Sequence, residues 1–238
     1  GAFRPRPPLN GTYRGLPGPH PHMHASPNTP TPTGEPIVLQ LPPGAALTDL
    51  PGPLGHGWQV VEGALRLDTD TSASGPVQLA LPGDSVGFER LFEQASPYAA
   101  RAVVPTRLRA LAAPAHTAAG IERARNALAM HWRRATEMAA LRTGPVPDRV
   151  KALLVLLATP GPDQDTHALP GLREIASIVD TSPETVSRVF SALRRMQLLD
   201  GRKRKRVRYE AEPLARSTLP AGVTRGSTSA RKPAQVDA

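Results

Sequence analysis

Residues 169–209, LPGLREIASIVDTSPETVSRVFSALRRMQLLDGRKRKRVRY, constrain this chain more tightly than any other stretch. Asp180-Thr181-Ser182-Pro183 separates two apolar periodicities. Ser182 suits an N-cap, and Pro183 falls at the first helical position, where its missing N–H costs nothing. Beyond it, Val186, Val189, Phe190, Leu193 and Met196 recur at i, i+3, i+4, i+7 and i+10, one face of an α-helix. At 100° per residue Glu184, Arg188, Ser191 and Arg195 share the opposite face, with Ser187 at its edge. The preceding segment predicts a helix that buries Leu172, Ile175, Ala176 and Val179. Two short helices packed across a tight turn make a helix-turn-helix whose second helix presents guanidinium groups and short polar side chains outward.

The residues that follow extend this unit. Leu198-Leu199 is apolar and Asp200-Gly201 is a turn dipeptide. Residues 202–209 (Arg202, Lys203, Arg204, Lys205, Arg206, Val207, Arg208, Tyr209) return as a basic strand, so the helices predict a wing suited to a phosphate backbone. Residues 169–210 carry ten Lys and Arg against five Asp and Glu, whereas residues 36–115 carry five against seven. The positive charge lies where the motif lies, although a winged helix used only for protein contacts, with Arg188 and Arg195 as a solvated face, is the alternative.

Glu174-Ile175-Ala176 through Ser182-Pro183-Glu184-Thr185-Val186-Ser187-Arg188 resembles the signature of the CRP/FNR family of bacterial transcription regulators, E-[IL]-[AG] followed by [ST]-x-E-T-[VI]-[SG]-R. The family is named for the cAMP receptor protein and the fumarate–nitrate reduction regulator. Asp180 stands where the family usually has Gly, and Asp tolerates a positive φ better than most residues. The resemblance implies an α+β chain: a shortened antiparallel β jelly roll, a long dimerisation helix and a C-terminal winged helix-turn-helix. The expected divisions are a proline-rich disordered tail at 1–35, the roll at 36–115, the dimerisation helix at 116–143, the DNA-binding domain at 144–210 and a disordered tail at 211–238.

The 238 residues suffice for two modest domains, and a net charge of +9 favours polyanionic partners. Lysines are few (Lys151, Lys203, Lys205, Lys232) and arginine, alanine and proline abundant, as in a high-G+C bacterium, so part of the arginine excess reflects codon usage. With no cysteine, the chain can have neither a disulfide framework nor a Cys-ligated zinc or iron–sulfur centre. The longest apolar run, 152–158, is far short of a membrane span. No signal peptide is visible, and the cytoplasm is the expected compartment. His20, His22 and His24 lie in the proline-rich tail and read as solvated rather than as a metal or haem site.

Between residues 37 and 111 short apolar runs alternate with Gly and Pro, the spacing of a small antiparallel roll. Gly63 and the Leu81-Pro82-Gly83-Asp84…Gly87 turn resemble the family's sensor roll. In cAMP-binding members the turn continues as Gly-Glu, and Arg-Ser/Thr-Ala follows about ten residues later; the Glu holds the ribose and the Arg the cyclic phosphate. Here Phe88 follows Gly87, and Tyr98-Ala99-Ala100 takes the second place, while Glu89 and Arg101 fall out of step. A phosphate buried without a guanidinium or hydroxyl donor is left unpaired, so no cyclic nucleotide and no other cofactor is expected.

Residues 117–141 predict one long helix. Ile121, Ala124, Leu128, His131, Ala135 and Met138 recur at a/d spacing with Trp132 beside them; the spacing alone predicts an amphipathic helix against a core, and the resemblance implies that it is the seam of a homodimer. The resemblance further implies double-stranded DNA and RNA polymerase as partners. Arg188 would donate to guanine O6/N7, Glu184 would accept from cytosine N4, and Ser187 would touch a neighbouring thymine or phosphate. Ser182, Thr185, Ser191, Arg195, Arg202, Lys203, Arg204 and Lys205 would hold the backbone. Two alternatives stay open: a non-specific architectural DNA binder, and a cupin-like metal-binding barrel with a nucleic-acid-binding tail. The second would need a His-x-His on the sheet, where the roll offers His56 alone, and no enzyme motif is present.

Overall fold

The computed structural model describes residues 37–47, 57–69, 78–89, 96–111, 117–158, 166–200, 206–220 and 223. The expected tail at 1–35, with its three histidines, lies outside them. Seven short strands come first: β1 Val38–Leu41, β2 Gly57–Glu62, β3 Leu65–Asp68, β4 Gln78–Ala80, β5 Ser85–Val86, β6 Ala99–Ala102 and β7 Thr106–Leu111. They form two antiparallel sheets, ordered β1-β7-β2-β5 and β4-β3-β6. Alternation puts Leu65, Leu67, Val60, Leu108, Ala100 and Ala102 between the sheets, where they make the core of the roll. Gly63 joins β2 to β3 at φ +87°, and a Cβ there would lie 2.3 Å from the Pro105 carbonyl oxygen, so only glycine fits.

Helix α1 spans Ala118–Ala140, with Thr117 as N-cap accepting from the Gly120 N–H at 3.1 Å. At 1.5 Å per residue its 23 residues make a rod of roughly 34 Å. Helix α2 spans Val146–Leu157, with Pro147 tolerated in its first turn. Helices α3 (Leu172–Ile178) and α4 (Pro183–Arg195) pack as a pair, and Asp180 in the turn adopts φ +51°. Strand β9, Arg206–Arg208, pairs antiparallel with β8, Thr166–Ala168. The wing therefore has a strand that the sequence did not announce: three residues carry too little periodicity to read. Asp200 and Arg208 exchange backbone bonds of 2.8 and 2.7 Å, which closes the hairpin side of the wing.

Residues 211–216, expected as part of a disordered tail, fold instead as α5, Ala211–Arg216. Leu214 is wholly buried, and the Ser217 carbonyl accepts from the buried Lys151 ammonium at 2.5 Å. Leu219 and Val223 pack against the same core, docking a segment whose composition reads as tail. Met196, expected in the apolar stripe of α4, is 38% exposed, because the helix ends at Arg195 and Gln197 turns the chain at φ +57°.

A second apolar cluster runs from the roll through α1 into the C-terminal domain. Ala64, Leu79, Leu81, Val103 and Val104 of the roll belong to one buried cluster with Met138, Leu141, Leu153, Leu154, Ile175 and Val186. Two ion pairs cross the same boundary. The Arg134 guanidinium on α1 donates to Asp84 of the Leu81-Pro82-Gly83-Asp84 turn at 2.6 Å and to Glu137 at 2.5 Å, with Arg134 and Asp84 both buried. Asp84 also accepts from the Leu81 N–H at 2.8 Å. Arg66 on β3 pairs with Asp68 at 2.6 Å and reaches Glu174 of α3 at 2.7 Å. Burial works against both guanidinium charges, but their carboxylate partners outweigh it and hold the two arginines above their ordinary pKa.

Removing one partner of a buried pair strands the other charge, at a typical cost of 3–5 kcal/mol. Asp84→Asn should lower unfolding stability by about 3 kcal/mol, at the low end because Glu137 still faces Arg134. Urea denaturation at fixed protein concentration measures this, and a loss below about 1 kcal/mol would show that the pair does not anchor α1.

Candidate nucleic-acid interface

Helix α4 divides cleanly. Val186, Val189, Phe190, Ala192 and Leu193 are buried against the core, while Glu184, Arg188, Ser191 and Arg195 face solvent and Ser187 is half-buried between them. The helix begins at a formed cap: the Ser182 hydroxyl oxygen accepts the Thr185 N–H at 3.2 Å, and the two hydroxyls lie 3.1 Å apart. The Ser191 hydroxyl donates back to the Ser187 carbonyl at 2.9 Å.

Glu184 sits in the first turn. Its own backbone N–H and the Ser182 hydroxyl, with Arg188 and Arg173 nearby, hold its carboxyl below the ordinary carboxylate range. It is therefore ionised at neutral and mildly acidic pH and can only accept hydrogen bonds, whereas Arg188 one turn on can only donate. An acceptor and a donor one turn apart on an uncovered helix face is an arrangement able to distinguish base edges in a major groove.

The outward face depends on what lies beneath it. The Tyr209 hydroxyl, buried under the wing, donates to the Leu154 carbonyl of α2 at 2.7 Å. Burial raises its pKa far above the ordinary phenol value, and the neutral form is the one that can donate. His167 on β8 lies 3.2 Å from the Tyr209 carbonyl, and the two rings are 4.4 Å apart, tying both strands of the wing to α2. On β9, Arg206 and Arg208 are exposed to either side of the buried Val207. Arg202, Lys203, Arg204 and Lys205 lie outside the described residues.

The a/d seam expected on α1 splits into two lines. Ala124, His131 and Met138 turn toward the chain's own roll: Met138 is 4% exposed in the core, and His131 lies 3.5 Å from the Tyr98 hydroxyl. Met138 is therefore no part of the helix's outer surface, which corrects its place in the expected seam. The other line stays outside, with Ile121 55%, Leu128 45% and Trp132 67% exposed and Ala135 exposed among them. Arg134, outside the a/d positions, is buried against Asp84. Its role was hidden because the partner is 50 residues away.

Among the described residues no cluster of His, Cys, Asp and Glu could hold a metal ion, and no helix is long and apolar enough to cross a membrane.

A strand-rich roll, a long helix and a winged helix-turn-helix in one chain define a DNA-binding regulator architecture. Residues 148–212 match the Crp-like helix-turn-helix domain. Over 77% of this chain and 99% of the other, the fold is similar to a CRP-family transcriptional regulator from Thermus thermophilus, with 25% identity and a TM-score of 0.58. A CRP/FNR-family regulator from the same organism is 26% identical over 76% of this chain and 99% of its own, with a TM-score of 0.51. FixK2 from Bradyrhizobium japonicum shares the fold at 24% identity and a TM-score of 0.57, over 76% of this chain and 96% of its own. No curated protein matches the chain by sequence. The C-terminal domain is thus Crp-like, and the fold of the chain is similar to that of CRP/FNR-family transcription regulators.

Proposed function

We propose that the protein is a homodimeric, sequence-specific DNA-binding regulator that works without a cyclic nucleotide. The observation that carries this reading is the uncovered outer face of α4, where ionised Glu184 stands one turn from Arg188 above a fully packed inner face. Arg188 reads a G·C pair through guanine O6/N7 and Glu184 reads another through cytosine N4, with Ser187 beside them. Ser182, Thr185, Ser191, Arg195 and the wing's basic residues hold the phosphates, which position the protein without specifying sequence. The pattern Glu184-x-x-Ser187-Arg188 resembles the fumarate–nitrate branch, so each half of an inverted repeat contains a core close to TGA. Two recognition helices related by a dimer axis then meet major grooves about 34 Å apart.

Dimerisation through α1 accounts for Ile121, Leu128 and Trp132, which a monomer leaves in water along one side of a helix. The roll itself supports the absence of a cyclic nucleotide. Its interior is filled by Leu65, Leu67, Val60 and Leu108, and Tyr98, in the place of the family's phosphate-binding arginine, turns its hydroxyl to His131.

Three measurements test the parts separately. Leu128→Glu sets like charges face to face across the axis, and sedimentation should give a monomer that binds the specific duplex far more weakly; an unchanged dimer would remove α1 as the interface. Calorimetry with cAMP or cGMP at micromolar concentration should register no heat of binding, and micromolar affinity would contradict the reading of the roll. Arg188→Ala should cost about 1–3 kcal/mol per half-site and relax selectivity at one base pair. If it weakens specific and scrambled duplexes equally, α4 does not read bases.

A further inference from the structure

The turn between α3 and α4 is held by a residue outside the helix-turn-helix. A helix leaves its last carbonyls without intrahelical donors, and a glycine beyond the end usually brings backbone N–H groups round to them. Here that place is Asp180, at φ +51°, in a conformation costly for a residue with a Cβ. The Thr181 N–H returns to the Ala176 carbonyl at 2.9 Å, but the Val179 and Asp180 carbonyls point elsewhere. Both accept from the Arg149 guanidinium of α2: Nη1 lies 2.8 Å from Val179 O and 3.2 Å from Asp180 O. The same nitrogen lies 3.4 Å from the carbonyl oxygen of Arg142, in the bend just beyond α1. One guanidinium nitrogen thus faces carbonyls from the end of the long helix and from the turn that aims α4. The Arg149 Nε is buried without a hydrogen-bond partner, so the side chain is held in place by these contacts at some cost to itself.

We propose that Arg149 is a positioning residue for DNA recognition, fixing the angle of the recognition helix relative to α1 and so setting the distance between half-sites that the dimer accepts. This inference rests on the dimeric, base-reading function proposed above. A cation suits the task, because its Nη1 lies within reach of all three carbonyls at once, and an apolar side chain of similar length would leave them without that donor. Arg149 touches neither the outer face of α4 nor the exposed line of α1. Its loss should therefore leave base reading and dimerisation intact and affect only their relative geometry.

The test is a set of duplexes carrying the same two half-sites with the centre-to-centre spacing set at the optimum and one and two base pairs to either side. A second set at the optimum has the Arg188-read G·C pair replaced in both halves. The wild-type protein should favour one spacing by at least tenfold. Arg149→Met should sediment as a dimer, lose affinity at the best spacing and flatten the preference to within about threefold, while the replaced G·C pair still lowers its affinity as in the wild type. Arg149→Lys, which keeps charge and donors but places them on a shorter, more flexible side chain, should fall between the two. Full spacing preference in Arg149→Met overturns the proposal, as does equal loss of spacing and base discrimination, which would mark a residue that only keeps the helices folded. Should Arg149→Met fail to fold, Arg149→Lys decides, and wild-type spacing preference there rejects the proposal. If the wild-type protein shows neither sequence nor spacing preference, the functional reading fails first and takes this inference with it.

Discussion

The buried contact between Arg134 and Asp84 is the constraint around which the chain is arranged. A guanidinium out of water is tolerated only where carboxylates face it, and Arg134 has Asp84 at 2.6 Å and Glu137 at 2.5 Å. Asp84 is itself committed to its own turn through the Leu81 N–H, and that turn needs Gly83 at φ +94°. The tight glycine turn of the roll therefore determines where α1 can lie. With α1 seated, Met138 and Leu141 meet Leu79, Leu81, Val103 and Val104, and the apolar cluster continues into α2 and the helix pair. Charge gives this junction its register, and apolar burial gives it the bulk of its stability.

A second crossing lies nearer the DNA-binding helices. Arg66 is pinned by Asp68 on its own strand before it meets Glu174, so little side-chain freedom remains to be lost when the interdomain contact forms. Glu174 belongs to α3, the helix that supports α4 from behind. The roll therefore touches the helix pair through an ion pair as well as through apolar contacts, and a change in the roll has a short physical route to α3. The recognition face itself is not part of either crossing. Its polar side chains remain outside while the opposite face of α4 is fully packed.

Most of the helix-turn-helix was legible because its signals are local. Ser182 and Pro183 mark the start of α4, the apolar period marks its buried face, and Asp180 occupies a position where a positive φ is required, as found. The strands of the roll were legible from alternation and glycine punctuation, down to the Leu81-Pro82-Gly83-Asp84 turn. What was not legible depends on distant partners or on very short segments. Strand β8 is three residues long, and α5 is six residues with a proline inside. An a/d pattern on α1 cannot tell which line faces the chain's own roll. Residues 124, 131 and 138 are separated by seven-residue steps exactly as 121, 128 and 135 are, and only the position of Asp84 and Tyr98 decides that the first set turns inward.

The arginine content illustrates the same limit from the other side. Read as composition, the excess of arginine over lysine looks like codon usage plus a basic wing. In the folded chain three arginines far from the wing each join segments separated in sequence: Arg134 to a carboxylate 50 residues away, Arg66 to one 108 residues away, and Arg149 to a carbonyl 30 residues away. Arg134 and Arg66 use the feature that lysine lacks, a planar fork able to engage more than one acceptor from a fixed position, whereas Arg149 makes its contacts through Nη1. Arg134 and Arg66 each bridge two carboxylates, and Arg149 faces three carbonyls. A genome that favours arginine supplies such groups freely, but the fold retains them where two elements must hold a fixed angle: roll against α1, roll against α3, and the bend after α1 against the turn that aims α4. The arginines exposed on α4 and β9 and the arginines that join distant elements are thus the same chemical type, separated by burial rather than by identity.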